Sequence, residues 1–147
     1  MTMHDTDRRD ARILVVDDET HIVDVVALKL RNAGFEVVTA SDGEEALAAL
    51  AAPGARPTHE APFDLVVTDL QMPVVSGLAL ARAMLDDARL AAIPVLMLTA
   101  RGHLLREGES VTANIVRLVH KPFSPRALLA DVEELLAERR EARGRAA

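Results

Sequence analysis

Two kinds of stretch alternate along the chain: short runs of β-branched and apolar residues, and longer segments in which apolar positions recur every three or four residues. Residues 13–16 form the first apolar run, which ends in Asp17-Asp18-Glu19 and reads as a strand buried on both faces. Ile22, Val25, Val26 and Leu30 follow at helical spacing, and Asn32-Ala33-Gly34 supplies a stop. Residues 35–39 predict a second strand, and Asp42 caps a helix carrying Ala46, Leu47 and Leu50. Residues 65–68 predict a third strand ending at Asp69, with Met72-Pro73 and Gly77 marking a turn before a helix at 78–85. A fourth strand at 94–98 ends at Thr99, and a weakly patterned helix is predicted over 102–112. The fifth strand, 115–119, ends near Lys121. Ser124 and Pro125 then open a last helix as N-cap and first helical residue, and Leu128, Leu129, Val132, Leu135 and Leu136 give it one apolar face.

This order is a βα unit repeated five times. Buried strands alternating with helices predict an α/β fold of three layers, an open parallel sheet doubly wound with helices on both faces. Functional groups in such sheets collect at the carboxyl ends of the strands. The organisation predicted is a disordered N-terminal segment over 1–10, one domain over 11–138 and an Arg-rich helix end over 139–147, with no output domain. The prolines at 53, 57 and 62 mark a loop that is long for a compact domain and reads as a tolerated surface insertion. Arg139, Arg140, Arg143 and Arg145 read as a solvated helix end.

Composition narrows the function classes. A chain of 147 residues that is 50% hydrophobic and 27% charged is one folded domain and not a disordered segment. The absence of cysteine excludes a disulfide framework, a thiolate zinc site and a cysteine nucleophile. No apolar run approaches the ~18 residues of a membrane span, and the polar start MTMHDTDRRD is no signal peptide, so a cytoplasmic location is expected. A net charge of −6 argues against sequence-independent nucleic-acid binding. The only aromatics are Phe35, Phe63 and Phe123, and the five histidines (His4, His21, His59, His103 and His120) lack ligand spacing and read as surface residues.

The predicted strand ends carry compatible chemistry. Strand one delivers Asp17 and Asp18, strand three Asp69, strand four Thr99 and strand five Lys121. Carboxylates gathered this closely repel one another, and a divalent cation relieves the repulsion. Oxygen ligands suit Mg²⁺, with Mn²⁺ as an alternative ion. A carboxylate beside such an ion can also act as a nucleophile toward phosphorus. Phosphoryl transfer mainly needs its oxygens held and their charge neutralised, which a metal, an ammonium and a hydroxyl would do.

Four motifs carry a resemblance: Val15-Val16-Asp17-Asp18-Glu19, Asp69-Leu70-Gln71-Met72-Pro73 with Gly77, Leu98-Thr99-Ala100, and Lys121-Pro122-Phe123. In this order, over roughly residues 11–138, the chain resembles the receiver domain of two-component response regulators. The resemblance implies a flavodoxin-like five-stranded sheet of order 2-1-3-4-5. It implies Asp69 as phosphoacceptor, taking a phosphoryl group from a histidine kinase, a phosphotransfer protein or a small donor such as acetyl phosphate. It further implies Asp18, Asp69 and the backbone carbonyl of Gln71 as Mg²⁺ ligands, Asp17 acting through water, Lys121 on the phosphoryl oxygens and Thr99 as the switch hydroxyl. A cis Lys121–Pro122 bond is implied as well. Gln71 and Arg101 stand where the family tunes the lifetime of the phosphoaspartate.

Phosphorylation would change the face formed by the fourth helix, fifth strand and fifth helix, and with it partner binding or weak dimerisation. Such a chain is a signalling phosphoacceptor and not an enzyme, with no direct contact to DNA or membrane. Two positions depart from the pattern. Leu118 stands where the family commonly has Tyr or Phe, and residues 108–114 lack the usual Gly-Ala-Asp-like run. The competing readings are a phosphorylation-independent interaction module on the same fold and an aspartyl-nucleophile, Mg²⁺-dependent phosphatase. The phosphatase looks for a second Asp two residues after the first, where this chain has Gln71.

Overall fold

A computed structural model of the chain describes residues 8, 10–54, 56, 57, 59–100 and 111–146. The strands are β1 (Arg12–Val16), β2 (Glu36–Ala40), β3 (Leu65–Asp69), β4 (Val95–Ala100) and β5 (Ile115–Lys121). The helices are α1 (Thr20–Asn32), α2 (Gly43–Ala51), α3 (Gly77–Leu85) and α4 (Pro125–Ala146), the last being the fifth helix of the sequence pattern. The helix predicted over 102–112 falls almost wholly on residues 101–110, which lie outside the described residues, as do 1–7 and 9 of the N-terminal segment.

All four strand pairings are parallel and the sheet order is β2-β1-β3-β4-β5. That is the order the sequence resemblance implies. β1, β3 and β4 are buried almost throughout, which is why their sequences run apolar without alternation. Alternate residues feed two cores. Ile13, Val15, Val67 and Leu98 meet Val26 and Leu30 of α1 and Val132 and Leu136 of α4. Leu14, Val16, Val66 and Met97 meet Ala46 and Leu50 of α2 and Leu78 and Met84 of α3. Each Val, Leu, Ile or Met among them stabilises the fold by about 1.5–3 kcal/mol.

The ends of the elements follow their local chemistry. α1 stops where Gly34 takes φ 106, a left-handed value that a side chain would oppose. Asp42 accepts the Glu45 N–H at 2.8 Å and caps α2, and Ser76 caps α3 by accepting the Ala79 N–H at 3.1 Å. Ser124 does the same for α4 through the Ala127 N–H, at 3.3 Å. β4 and β5 run one to two residues past their predicted ends, so Thr99 and Lys121 sit inside strands. Their neighbours in the sheet therefore fix them.

Two regions are more firmly held than the sequence suggests. Arg56, in the proline-rich loop, donates to Asp64 at 2.7 and 3.3 Å and to the carbonyls of Asp10 and Ala61 at 3.0 and 3.1 Å. Arg139, expected in a solvated helix end, is half-buried and donates to the Asp64 carbonyl at 3.0 Å. At the N-terminal side, Arg8 forms an ion pair with Glu133 of α4.

Candidate functional site

The parallel sheet brings the carboxyl ends of β1, β3, β4 and β5 to one edge. In register, Val16 faces Thr68, Asp69 faces Leu98, Thr99 faces His120 and Ala100 faces Lys121. Asp17 and Asp18 follow β1 directly, and Asp69 is the last residue of β3. One carboxylate oxygen from each of Asp17, Asp18 and Asp69 lies within 4.8 Å of the others. Asp17 is fully buried and Asp69 nearly so, whereas Asp18 is exposed.

Lys121 closes the cluster. Its ammonium stands 3.0 Å from Asp17 Oδ2, 3.3 Å from Asp69 Oδ1 and 3.5 Å from Glu19 Oε1. The Lys121–Pro122 peptide bond is cis. Burial works to lower the lysine pKa, but its bonds to Asp17 and Asp69 outweigh burial and hold the pKa above the ordinary value. Asp69 is pushed up to about 6, by burial first and then by the charge of Asp17, with Lys121 only partly opposing. Asp17 also accepts the Glu19 N–H at 3.0 Å, which pins its carboxylate.

One lysine against three carboxylates leaves the cluster with excess negative charge, which adds to burial in raising the pKa of Asp69. The donor set is all oxygen and opens to solvent at Asp18, which fits a hard divalent cation such as Mg²⁺ better than a softer ion. Thr99 is buried beside this edge. Its hydroxyl donates to the Ala100 carbonyl at 3.4 Å, the long limit of a hydrogen bond, and so is loosely held. Gln71 lies two residues beyond Asp69, in the exposed part of the β3–α3 turn. Arg101 lies outside the described residues.

Asp17, Asp18, Asp69, Thr99 and Lys121, singled out in the sequence, thus converge at one edge. Leu118 is half-exposed on β5 and offers no hydrogen bond. The sequence assigned no role to Glu19, although it stands in the acidic run after β1, and its bond to Lys121 depends on β5 lying across the edge. His120 gave no sequence signal beyond being next to Lys121. His21 and His59 are exposed, as expected of surface histidines.

Fold and site define a doubly wound α/β protein with an acidic pocket and a lysine at the carboxyl edge of its sheet. A family model for the response regulator receiver domain matches residues 13–133, and the chain belongs to that family. It is 36% identical over 127 residues to the DNA-binding dual master transcriptional regulator RpaA of Synechocystis sp., covering 85% of this chain and 48% of that protein. It is 35% identical over 125 residues to the chemotaxis protein CheY of Pseudomonas aeruginosa, covering 84% of this chain and 94% of CheY. The high-resolution structure of the chemotaxis response regulator CheY4 of Vibrio cholerae superimposes with a TM-score of 0.70 at 33% identity, over 85% of this chain and 98% of that one. The chain spans about half the length of RpaA and of most of the other curated relatives it matches. Among the described residues, no helix is long and apolar enough to cross a membrane.

Proposed function

We propose that this chain is a phosphoacceptor in two-component signalling, with Asp69 as the residue modified. The observation that carries this reading is the setting of Asp69, with carboxylate oxygens of Asp17 and Asp18 within 4.8 Å and the Lys121 ammonium at 3.3 Å. An oxygen of the ionised Asp69 carboxylate attacks the phosphorus of a phosphohistidine, or of a small donor such as acetyl phosphate. A P–O bond forms to Asp69, and the bond to the donor's leaving group breaks. Lys121 turns from Asp69 to the transferred phosphoryl oxygens and neutralises them, and the loosely held Thr99 hydroxyl donates to one of them.

Asp18, Asp69 and the Gln71 carbonyl would hold Mg²⁺ directly, with Asp17 acting through water. A bound cation supplies further neutralisation of the phosphoryl oxygens. The partners are a sensor histidine kinase or phosphotransfer protein upstream and a protein reader downstream. The reader binds the face of β5 and α4, where the charge added at Asp69 is felt. On this reading the chain catalyses only its own phosphorylation and dephosphorylation, and it works in the cytoplasm.

Incubation with radiolabelled acetyl phosphate tests the reading. Labelling is expected to require Mg²⁺ or Mn²⁺, to stop with EDTA and to be abolished by Asp69→Asn. Robust labelling of that variant would sink the assignment.

A further inference from the structure

The departure at Leu118 leaves open how the site is sensed on the outer side of β5, and the register of β4 and β5 suggests an answer. Thr99 and His120 are direct partners across these two parallel strands. Partners in adjacent strands lie about 4.8 Å apart with their side chains on the same face of the sheet. Two residues back on each strand, Met97 and Leu118 are partners on that same face. The four side chains border one cavity of about 100 Å³, whose remaining described lining is Leu70, Leu78, Val111 and Ile115.

In that lining Thr99 and His120 are the two side chains with strong hydrogen-bonding groups, and the rest is apolar. The Thr99 hydroxyl is buried and weakly engaged, at 3.4 Å from the Ala100 carbonyl. His120 is exposed, and its side chain has neither a hydrogen bond nor an ion pair among the described residues. An imidazole without a partner among the described residues thus stands beside a hydroxyl without a firm one, and both border the same cavity.

We propose that His120 is the positioning residue that reads the Thr99 hydroxyl, the part an aromatic at position 118 would otherwise play. This rests on the phosphoacceptor reading of Asp69. When the hydroxyl donates its proton to a phosphoryl oxygen on Asp69, the hydroxyl oxygen keeps lone pairs to accept with. An imidazole N–H then completes a chain from His120 through Thr99 to the phosphoryl group, and each bond in such a chain strengthens the other. The ring moves from solvent into the cavity, and the outer face of β5, with Val116 and Leu118, changes with it. A bond made only in the phosphorylated state favours that state by the same factor wherever it is measured.

The chain has no Trp or Tyr, so binding of the phosphoryl mimic BeF₃⁻ with Mg²⁺ is best followed by calorimetry and NMR. The variants are His120→Ala, Thr99→Val, which keeps shape without the hydroxyl, and the two combined. His120→Ala is expected to weaken BeF₃⁻ binding about two- to tenfold, the worth of one hydrogen bond. The same change made on top of Thr99→Val should cost nothing further. The His120 ring resonances should shift on BeF₃⁻ addition in the wild type, keep that shift in Thr99→Ser and lose it in Thr99→Val. No loss from His120→Ala, an equal loss with and without Thr99→Val, or a ring shift untouched by Thr99→Val overturns the proposal. If the wild type itself fails to bind BeF₃⁻ with Mg²⁺, the phosphoacceptor reading fails and this inference falls with it.

Discussion

Asp69 carries a charge that its surroundings resist. Burial and the neighbouring Asp17 raise its pKa to about 6, whereas an unfolded chain ionises its aspartates near 4. The sign of the consequence follows from proton linkage. Below about pH 4 both states hold the proton, and the group is neutral in each. Between about 4 and 6 the folded state keeps a proton that the unfolded chain has released, so the contribution of Asp69 to stability declines as pH rises through this window. Asp69→Asn removes the ionisation. Without metal, the variant should gain on the wild type from near zero at pH 4 to about 3 kcal/mol above pH 6, as two pKa units imply. Urea unfolding in EDTA at several pH values measures the difference, and added Mg²⁺ should narrow it at pH 7. A gap independent of pH would show that Asp69 is unstrained in the fold. The acid itself was legible in the sequence, because it ends an apolar run. Its raised pKa was not, since that depends on the β1 and β5 residues folded against it.

The β3–α3 joint shows how an element's placement constrains the site. Gly77 begins α3 and donates its N–H to the Leu70 carbonyl at 2.9 Å. A Cβ built on Gly77 would stand 2.2 Å from the Asp69 carbonyl oxygen and 2.7 Å from Met97 Sδ. The methionine can swing aside, but the carbonyl cannot move without carrying Asp69 along. Gly77→Ala should therefore destabilise the protein by about 1–3 kcal/mol, the cost of overpacking. It should also slow acetyl phosphate labelling at full Mg²⁺, because the nucleophile is displaced. Thermal melts and initial labelling rates check the two effects, and a variant that loses stability but labels at the wild-type rate would uncouple them. The sequence marked Gly77 as a turn residue and as part of a motif but not the reason a side chain is excluded there, since the approach of α3 to the end of β3 is a tertiary contact. Elements with continuous burial, such as β1 and β3, were legible because their apolar runs are unbroken. The pairing of Thr99 with His120 was not, because it depends on the register between two strands.

The whole molecule has a chemical edge and an opposite edge that is pinned by charge. At the amino ends of β1 and β3, Asp64 is nearly buried and accepts the Arg12 backbone N–H at 2.8 Å together with the Arg56 guanidinium. Burial would raise its pKa, but the bonds from Arg56 and Arg12 outweigh burial and hold it below the ordinary range. Through Arg56 the 53–62 loop is tied to the sheet, and through Arg139 the same residue is tied to α4. Arg89 adds a bond from beyond α3 to the Glu60 carbonyl at 2.7 Å. Prolines and length alone make this loop look like a passive insertion, because the partner of Arg56 is identified only once the chain has folded back on β1 and β3. Arg56→Ala removes the guanidinium donor from a buried carboxylate and should cost about 2–3 kcal/mol at pH 7. A carboxylate with a depressed pKa contributes its stability above the unfolded value near 4 and loses it as pH falls through the folded value. The difference between wild type and Arg56→Ala should therefore shrink below pH 4, opposite in direction to the effect at Asp69. Labelling of Asp69 should be unchanged, because the clamp lies at the far edge of the sheet. Urea melts across pH, run beside the labelling assay, distinguish a clamp from a passive insertion. A cost under about 0.5 kcal/mol, the range of ordinary surface substitutions, would return the loop to the passive class.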